Sequence, residues 1–176
     1  AARGLARPAR SARRVLALGE SSRLVHVAGE ALAVSRLLPQ GLAFVGAEAT
    51  IEQLHRHAAQ ADVIHLACHA QYRDDNPIFS ALHLHDGALN AEAIESMRLD
   101  AGPTVVLSAC DTGLQDMGAG DDGFGLPRAF LVAGARRVLA SLWAVDDEAT
   151  AAFMTDLYAG LCEGAAPGAA LHAAQA

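Results

Sequence analysis

Two stretches of this chain are apolar almost without interruption: Ala61-Asp-Val-Ile-His-Leu-Ala-Cys68 and Thr104-Val-Val-Leu-Ser-Ala109. A strand with one solvated face alternates polar and apolar residues, whereas a strand covered on both faces does not. Both runs are short for helices, so they read as central strands of a parallel sheet. Parallel neighbours need a crossover connection of about a dozen residues or more, usually a helix. That requirement constrains everything between and around them.

The remaining punctuation fits. Val15-Leu-Ala-Leu-Gly19, Leu42-Ala-Phe-Val45 and residues 137–142 read as further strands. Residues 28–38 place Leu32, Leu37 and Leu38 near helical spacing, and Pro39 ends that helix. Thr50 is a predicted N-cap for a helix over 51–60, and Asn90 for one over 91–98. Further helices are predicted over 124–134, 147–161 and from 167 onward. Residues 70–80 hold Asn76-Pro77 and read as a loop. Ser80–His85 alternates, with Leu82 and Leu84 opposite His83 and His85, and Asp86-Gly87 is a turn signal, so an antiparallel pair is expected there. No internal repeat is present. The alternation predicts an α/β fold, a mostly parallel central sheet with helices on both faces. In such sheets, functional groups gather beyond the carboxyl ends of the strands.

At 176 residues the chain has the size of one domain. Hydrophobic residues at 52% and charged residues at 19% exclude a disordered chain, and only 5% aromatics make the expected core aliphatic. Alanine excess and the complete lack of lysine read as GC-rich coding bias. Residues 1–36 carry seven Arg against Glu20 and Glu30; the rest carries six Arg against 18 acids. The acidic body argues against direct nucleic-acid binding. The start, with Arg3, Arg7, Arg10, Arg13 and Arg14, can be a basic arm, a transit-like peptide or a linker. The plainest division is a linker over 1–13 and a folded domain over 14–176. No run of about 18 apolar residues predicts a membrane span. Three widely spaced cysteines do not form a disulfide framework, which points to a reducing cytoplasm.

Two strand ends carry chemistry. Cys68-His69-Ala70 follows the first buried run, and Ser108-Ala109-Cys110-Asp111-Thr112-Gly113 follows the second. A Cys and a His at one sheet edge are the minimum for thiol nucleophilic catalysis. Cys110 would be the nucleophile. His69 would draw off its proton and later protonate the leaving amine. The backbone N–H groups of Ala70 and Cys110 would form an oxyanion hole. Taken singly, such a Cys is most often a small core thiol and such a His a satisfied surface imidazole; their pairing at two strand ends is what points to catalysis.

With these residues in view, the chain resembles the CHAT domain, a caspase-like cysteine peptidase module related to caspases and separases and often found behind tetratricopeptide repeats. The resemblance runs from about Val15 to the end. Its segments are Ala28–Pro39, Gly46–Thr50, His65-Leu-Ala-Cys-His69, Asn76-Pro77 and Phe79-Ser-Ala-Leu82. They continue with Leu107-Ser-Ala-Cys-Asp-Thr-Gly113, Gly120-Asp-Asp-Gly-Phe-Gly-Leu126, Ala129-Phe-Leu-Val-Ala-Gly-Ala135 and Ser141-Leu-Trp-Ala-Val-Asp-Asp147. The resemblance implies a caspase-like three-layer sandwich and a catalytic dyad of His69 and Cys110. It also implies a protein or peptide substrate and an upstream repeat region or activating partner. Two departures stand out. The family usually has Gly where this chain has Ala70, which would disturb the oxyanion hole if that position required a positive φ. The family also usually continues with a His-Pro, aromatic-rich last strand, so a domain cut short at its C-terminus is expected.

Other features have competing readings. Gly118-x-Gly120-x-x-Gly123 formally matches a dinucleotide fingerprint, but it lies nine residues beyond its strand, and Asp121 and Asp122 would repel pyrophosphate. A loop beside Cys110 is the better reading. His65, Cys68, His69, His83 and His85 are zinc-type donors without zinc-type spacing, so no metal and no cofactor are expected. Asp111, Asp121, Asp122, Asp146 and Asp147 read either as an acidic pocket for a basic P1 side chain or as solvated loop carboxylates and helix caps. Trp143 reads as a packing residue near that pocket, and Cys162 as inert. The sequence thus predicts a cysteine endopeptidase, with a non-catalytic CHAT-like interaction module as the alternative.

Overall fold

The structure is a computed structural model that describes residues 12–20, 25–73, 76–108, 125–140 and 147–175. Five parallel strands form the central sheet: β1 (Arg14–Gly19), β2 (Gln40–Val45), β3 (Val63–Ala67), β7 (Thr104–Ser108) and β8 (Arg137–Ala140), in the order β2-β1-β3-β7-β8. Three short antiparallel strands, β4 (His69–Gln71), β5 (Ala81–Leu84) and β6 (Gly87–Asn90), form a second sheet. The helices are α1 (Val25–Leu37), α2 (Ile51–His57), α3 (Ala91–Glu95), α4 (Gly125–Val132), α5 (Asp147–Cys162) and α6 (Pro167–Ala174). Among the described residues, no helix is long and apolar enough to cross a membrane.

The continuous apolar runs become strands covered on both faces, as expected. Every residue of β3 is buried. Side chains alternate between two cores, because successive residues of a strand point to opposite faces. Val15, Ala17, Val63 and Val106 join α1, α5 and α6 through Ala31, Val34, Leu157, Tyr158 and Ala170. Leu16, Leu18, Ile64, Leu66, Val105 and Leu107 join α2, α3 and α4 through Leu54, Ile94, Leu126 and Phe130. This is the predicted three-layer α/β arrangement.

Local signals explain the helix ends. Thr50 Oγ1 accepts a hydrogen bond from Gln53 N at 3.1 Å, and Asn90 Oδ1 accepts one from Ala93 N at 2.8 Å. Both predicted caps hold, but their helices are shorter than the periodicity implied. α2 ends at His57 and tightens into a 3-10 turn over Ala58–Gln60; α3 ends at Glu95. The buried positions of α1 are Val27, Ala31, Val34 and Leu38 beyond its end, while Leu32 and Leu37 are exposed. The core face is therefore Val27, Ala31, Val34 and Leu38. Glycines on β1 and β2 let α1 approach them closely. A Cβ on Gly19 would meet the Val27 carbonyl at 2.9 Å, and one on Gly41 would overlap the carbonyl of Ser35.

The predicted loop over 70–80 is only partly a loop. His69–Gln71 is strand β4, and Pro77–Phe79 is a 3-10 turn. Three residues are too few to show a period of two, so their pairing with β5 decides their conformation. The hairpin is tied to α2: Asp86 accepts hydrogen bonds from Ile51 N at 2.7 Å and Glu52 N at 3.4 Å, and His85 N donates to the Ala49 carbonyl at 2.9 Å.

Candidate active site

In chain order the parallel strands run 2-1-3-4-5 across the sheet, the doubly wound pattern whose order reverses between the first and third strands. The carboxyl end of β3 lies at that reversal. Ala67 is in register with Gly19 of β1 and with Ser108 of β7, and Glu20 N donates to the Ala67 carbonyl at 3.0 Å. His69 and Cys110 each follow a member of the Ala67–Ser108 register pair by two positions in the chain.

His69 stands on β4, and its side chain is exposed. The next residue, Ala70, is fully buried and joins the core on the α2–α4 side. No non-glycine residue among those described has a positive φ. Ala70 therefore occupies its position without left-handed strain, and its methyl group packs into the core. His69 opposes His83 in the β4–β5 ladder, with ring centroids 5.3 Å apart and planes inclined by 34°. Sequence reasoning placed His83 and His85 together on a solvent face. His85 is exposed, but His83 is half-buried beside His69. The alternation of Ser80–His85 gave the face of His83; without β4, nothing gave its neighbour.

Cys110 lies outside the described residues, as do Asp111, Asp121, Asp122, Trp143 and Asp146. Asp147 opens α5. The other two cysteines are described, and their surroundings disfavour a nucleophilic role. Cys68 is buried at the bend between β3 and β4. Burial pushes its thiol up to about 12, helped by the Glu20 carboxylate and opposed by a hydrogen bond from the His83 backbone. Cys162 donates from Sγ to the Leu37 carbonyl at 3.1 Å; burial first, and Glu163 second, push its thiol up as well. Thiolate is the reactive form, so both are held in the unreactive one.

The zinc-type donors are dispersed. His65 faces the α1–α5 core, where its Nδ1 is 3.0 Å from the Tyr158 hydroxyl and its Nε2 is 3.3 Å from Glu30 Oε1. Cys68 belongs to the opposite core, and His69 and His83 to the hairpin. Among the described residues, no group of three or more His, Cys, Asp or Glu side chains is assembled to hold a metal ion. A recess of about 260 Å³, lined by Arg14, Gln40, Leu42 and His57 among others, opens at the amino ends of β1 and β2, the far end of the sheet from His69.

This arrangement agrees with a comparison at the family level: the model of the CHAT domain matches residues 1–176. The chain belongs to the CHAT domain family. CHAT domains are caspase-like and peptidase-related, and the parallel five-stranded sheet with helices on both faces is consistent with that architecture. A comparison with curated proteins returned no match.

Proposed function

We propose that this CHAT domain is a cysteine endopeptidase acting on a protein or peptide substrate through His69 and Cys110. The observation that carries this reading is the β3–β7 register, in which Ala67 pairs with Ser108 just before the two motif residues. The unreactive settings of Cys68 and Cys162 add support by leaving Cys110 as the candidate nucleophile.

In the proposed reaction His69 accepts the Cys110 proton, and the thiolate attacks the scissile carbonyl carbon. The oxyanion is met by backbone N–H groups of Ala70 and Cys110. The C–N bond breaks, and His69 gives its proton to the departing amine, leaving a thioester. His69 then takes a proton from water as the oxygen attacks the thioester carbon, the C–S bond breaks, the departing Cys110 thiolate recovers the proton from His69, and the carboxylic product leaves. No metal or cofactor takes part. Asp111, Asp121, Asp122, Asp146 and Asp147, with Trp143, are the proposed surroundings of a basic P1 side chain. Control by an attached tetratricopeptide-type repeat region or an activating partner, and a cytoplasmic setting, complete the proposal; it includes no direct binding of nucleic acid or membrane.

The test is incubation of the full-length protein with candidate partner proteins, with and without Cys110→Ala. Cleavage should require the thiol, and equal cleavage by both forms would sink the assignment. The second reading, a non-catalytic interaction module, is motivated by Ala70 where the family usually has Gly; the unstrained backbone at Ala70 removes the left-handed-strain argument for it. Alkylation at about pH 6.5 separates the two. The peptidase reading expects Cys110 to react well ahead of Cys68 and Cys162; equally slow reaction at all three supports the interaction module.

A further inference from the structure

Strand β5 sets a second imidazole against the one proposed as general base. His69 and His83 are directly opposed in an antiparallel ladder, so their side chains rise from the same face. Their ring centroids are 5.3 Å apart. Gln71 lies two residues beyond His69 and shares that face by the period of the strand. Its Oε1 accepts a hydrogen bond from His83 Nε2 at 3.3 Å. The contacts therefore run in sequence from Gln71 to His83 and from His83 to His69. Beneath them, Ala70 and Leu82 are both fully buried, so the backbone carrying the three side chains is anchored to the core.

We propose that His83 is a positioning residue for His69. Its ring, held by Gln71, forms a wall that restricts rotation of the exposed His69 side chain and fixes the direction in which that imidazole presents its nitrogens. The inference rests on the reading of His69 as general base and acid. A general base must stay within hydrogen-bond reach of the proton it moves, and an exposed imidazole without a neighbour would spend much of its time elsewhere. Neither the apolar pattern nor the turn chemistry of the hairpin calls for an imidazole at residue 83. Its partner across the ladder supplies the reason.

The test uses the full chain with wild-type sequence, His83→Ala, His83→Phe and, as reference, His69→Ala. The first readout is NMR relaxation of the His69 ring, with the buried His65 ring as internal control. The second is the rate of Cys110 alkylation by iodoacetamide, followed by mass spectrometry. His83→Ala should loosen the His69 ring, leave His65 unchanged, and slow alkylation by about three- to tenfold. His83→Phe, which keeps the wall but not the ring nitrogens, should restore both. If His83→Ala changes neither readout while His69→Ala slows alkylation, His83 is a bystander: the positioning role is overturned and the general-base reading stands. If His69→Ala leaves alkylation unchanged, the general-base reading fails and the positioning role falls with it. If His83→Ala disturbs His65 as much as His69, the effect is on the fold and the proposal is overturned.

Discussion

Replacing Tyr158 by Phe tests the buried polar chain that ties α5 to the sheet. Tyr158 and His65 are both at 0% exposure, and the hydroxyl lies 3.0 Å from His65 Nδ1. Burial and the nearby Glu30 carboxylate drive the phenol well above its ordinary range, so it keeps its proton and can donate to Nδ1. On the other side of the ring, Glu30 Oε1 approaches His65 Nε2 at 3.3 Å, but neither atom makes a well-formed hydrogen bond. Phe preserves the ring and its edge-on packing against His65 (centroids 5.8 Å apart), so no cavity term enters. What is lost is one hydrogen bond, worth about 1 kcal/mol, and what is left is a buried Nδ1 whose desolvation costs about 1–3 kcal/mol. These are overlapping measures of one loss, so the expected destabilisation is about 2 kcal/mol. In a domain of this size that lowers Tm by about 4–8 °C. Urea unfolding should show a lower midpoint at unchanged m. His65→Leu completes a double-mutant cycle: with both partners apolar, the coupling energy should be about 1–2 kcal/mol. A Tyr158→Phe protein within about 0.5 kcal/mol of wild type, or a coupling near zero, would refute the reasoning.

Three further predictions follow from other parts of the molecule. The folded-state value of the Cys68 thiol, about 12, lies above its ordinary 9.0, so its contribution to stability is complete below pH 9.0 and shrinks as pH rises toward 12. Urea unfolding at successive pH values should show this decline, and Cys68→Ala should flatten it by up to about 1.4 kcal/mol per pH unit. Asp86→Ala removes the acceptor of the Ile51 and Glu52 amides and should cost about 1 kcal/mol by thermal melting, with His85→Ala as an exposed-site control near zero. Gly41→Ala forces a methyl group into the Ser35 carbonyl and should cost about 3 kcal/mol or more, seen as loss of folded protein, whereas Gly29→Ala, with open space around it, should not destabilise α1.

Much of the architecture was legible because it rests on short-range chemistry. Thr50 and Asn90 announced their helices through side chains that satisfy nearby amides, and β3 and β7 announced themselves through burial on both faces. α1 was legible as a helix but only partly in orientation: of Leu32, Leu37 and Leu38, only Leu38 is buried, and Val27, Ala31 and Val34 supply the rest of the core face. β4 was missed because three residues have no period to read; only the partner strand makes them extended. The proposed site rests on motifs visible in the sequence, His69 after β3 and Cys110 after the β7 run, with Ala70 as a departure from the family. That Ala70 is unstrained required the backbone.

The sequence by itself determined most of the elements, the two strand-end motifs and the family, but not β4. Those depend on residues close along the chain, where spacing, capping and alternation leave a direct record. The tertiary structure alone decided that β3 and β7 are neighbours in register, that Cys68 is sealed as a thiol, and that His83 stands against His69. Each of these joins residues 14 or more positions apart or depends on how an entire core closes, and a linear pattern carries no term for which strands pair.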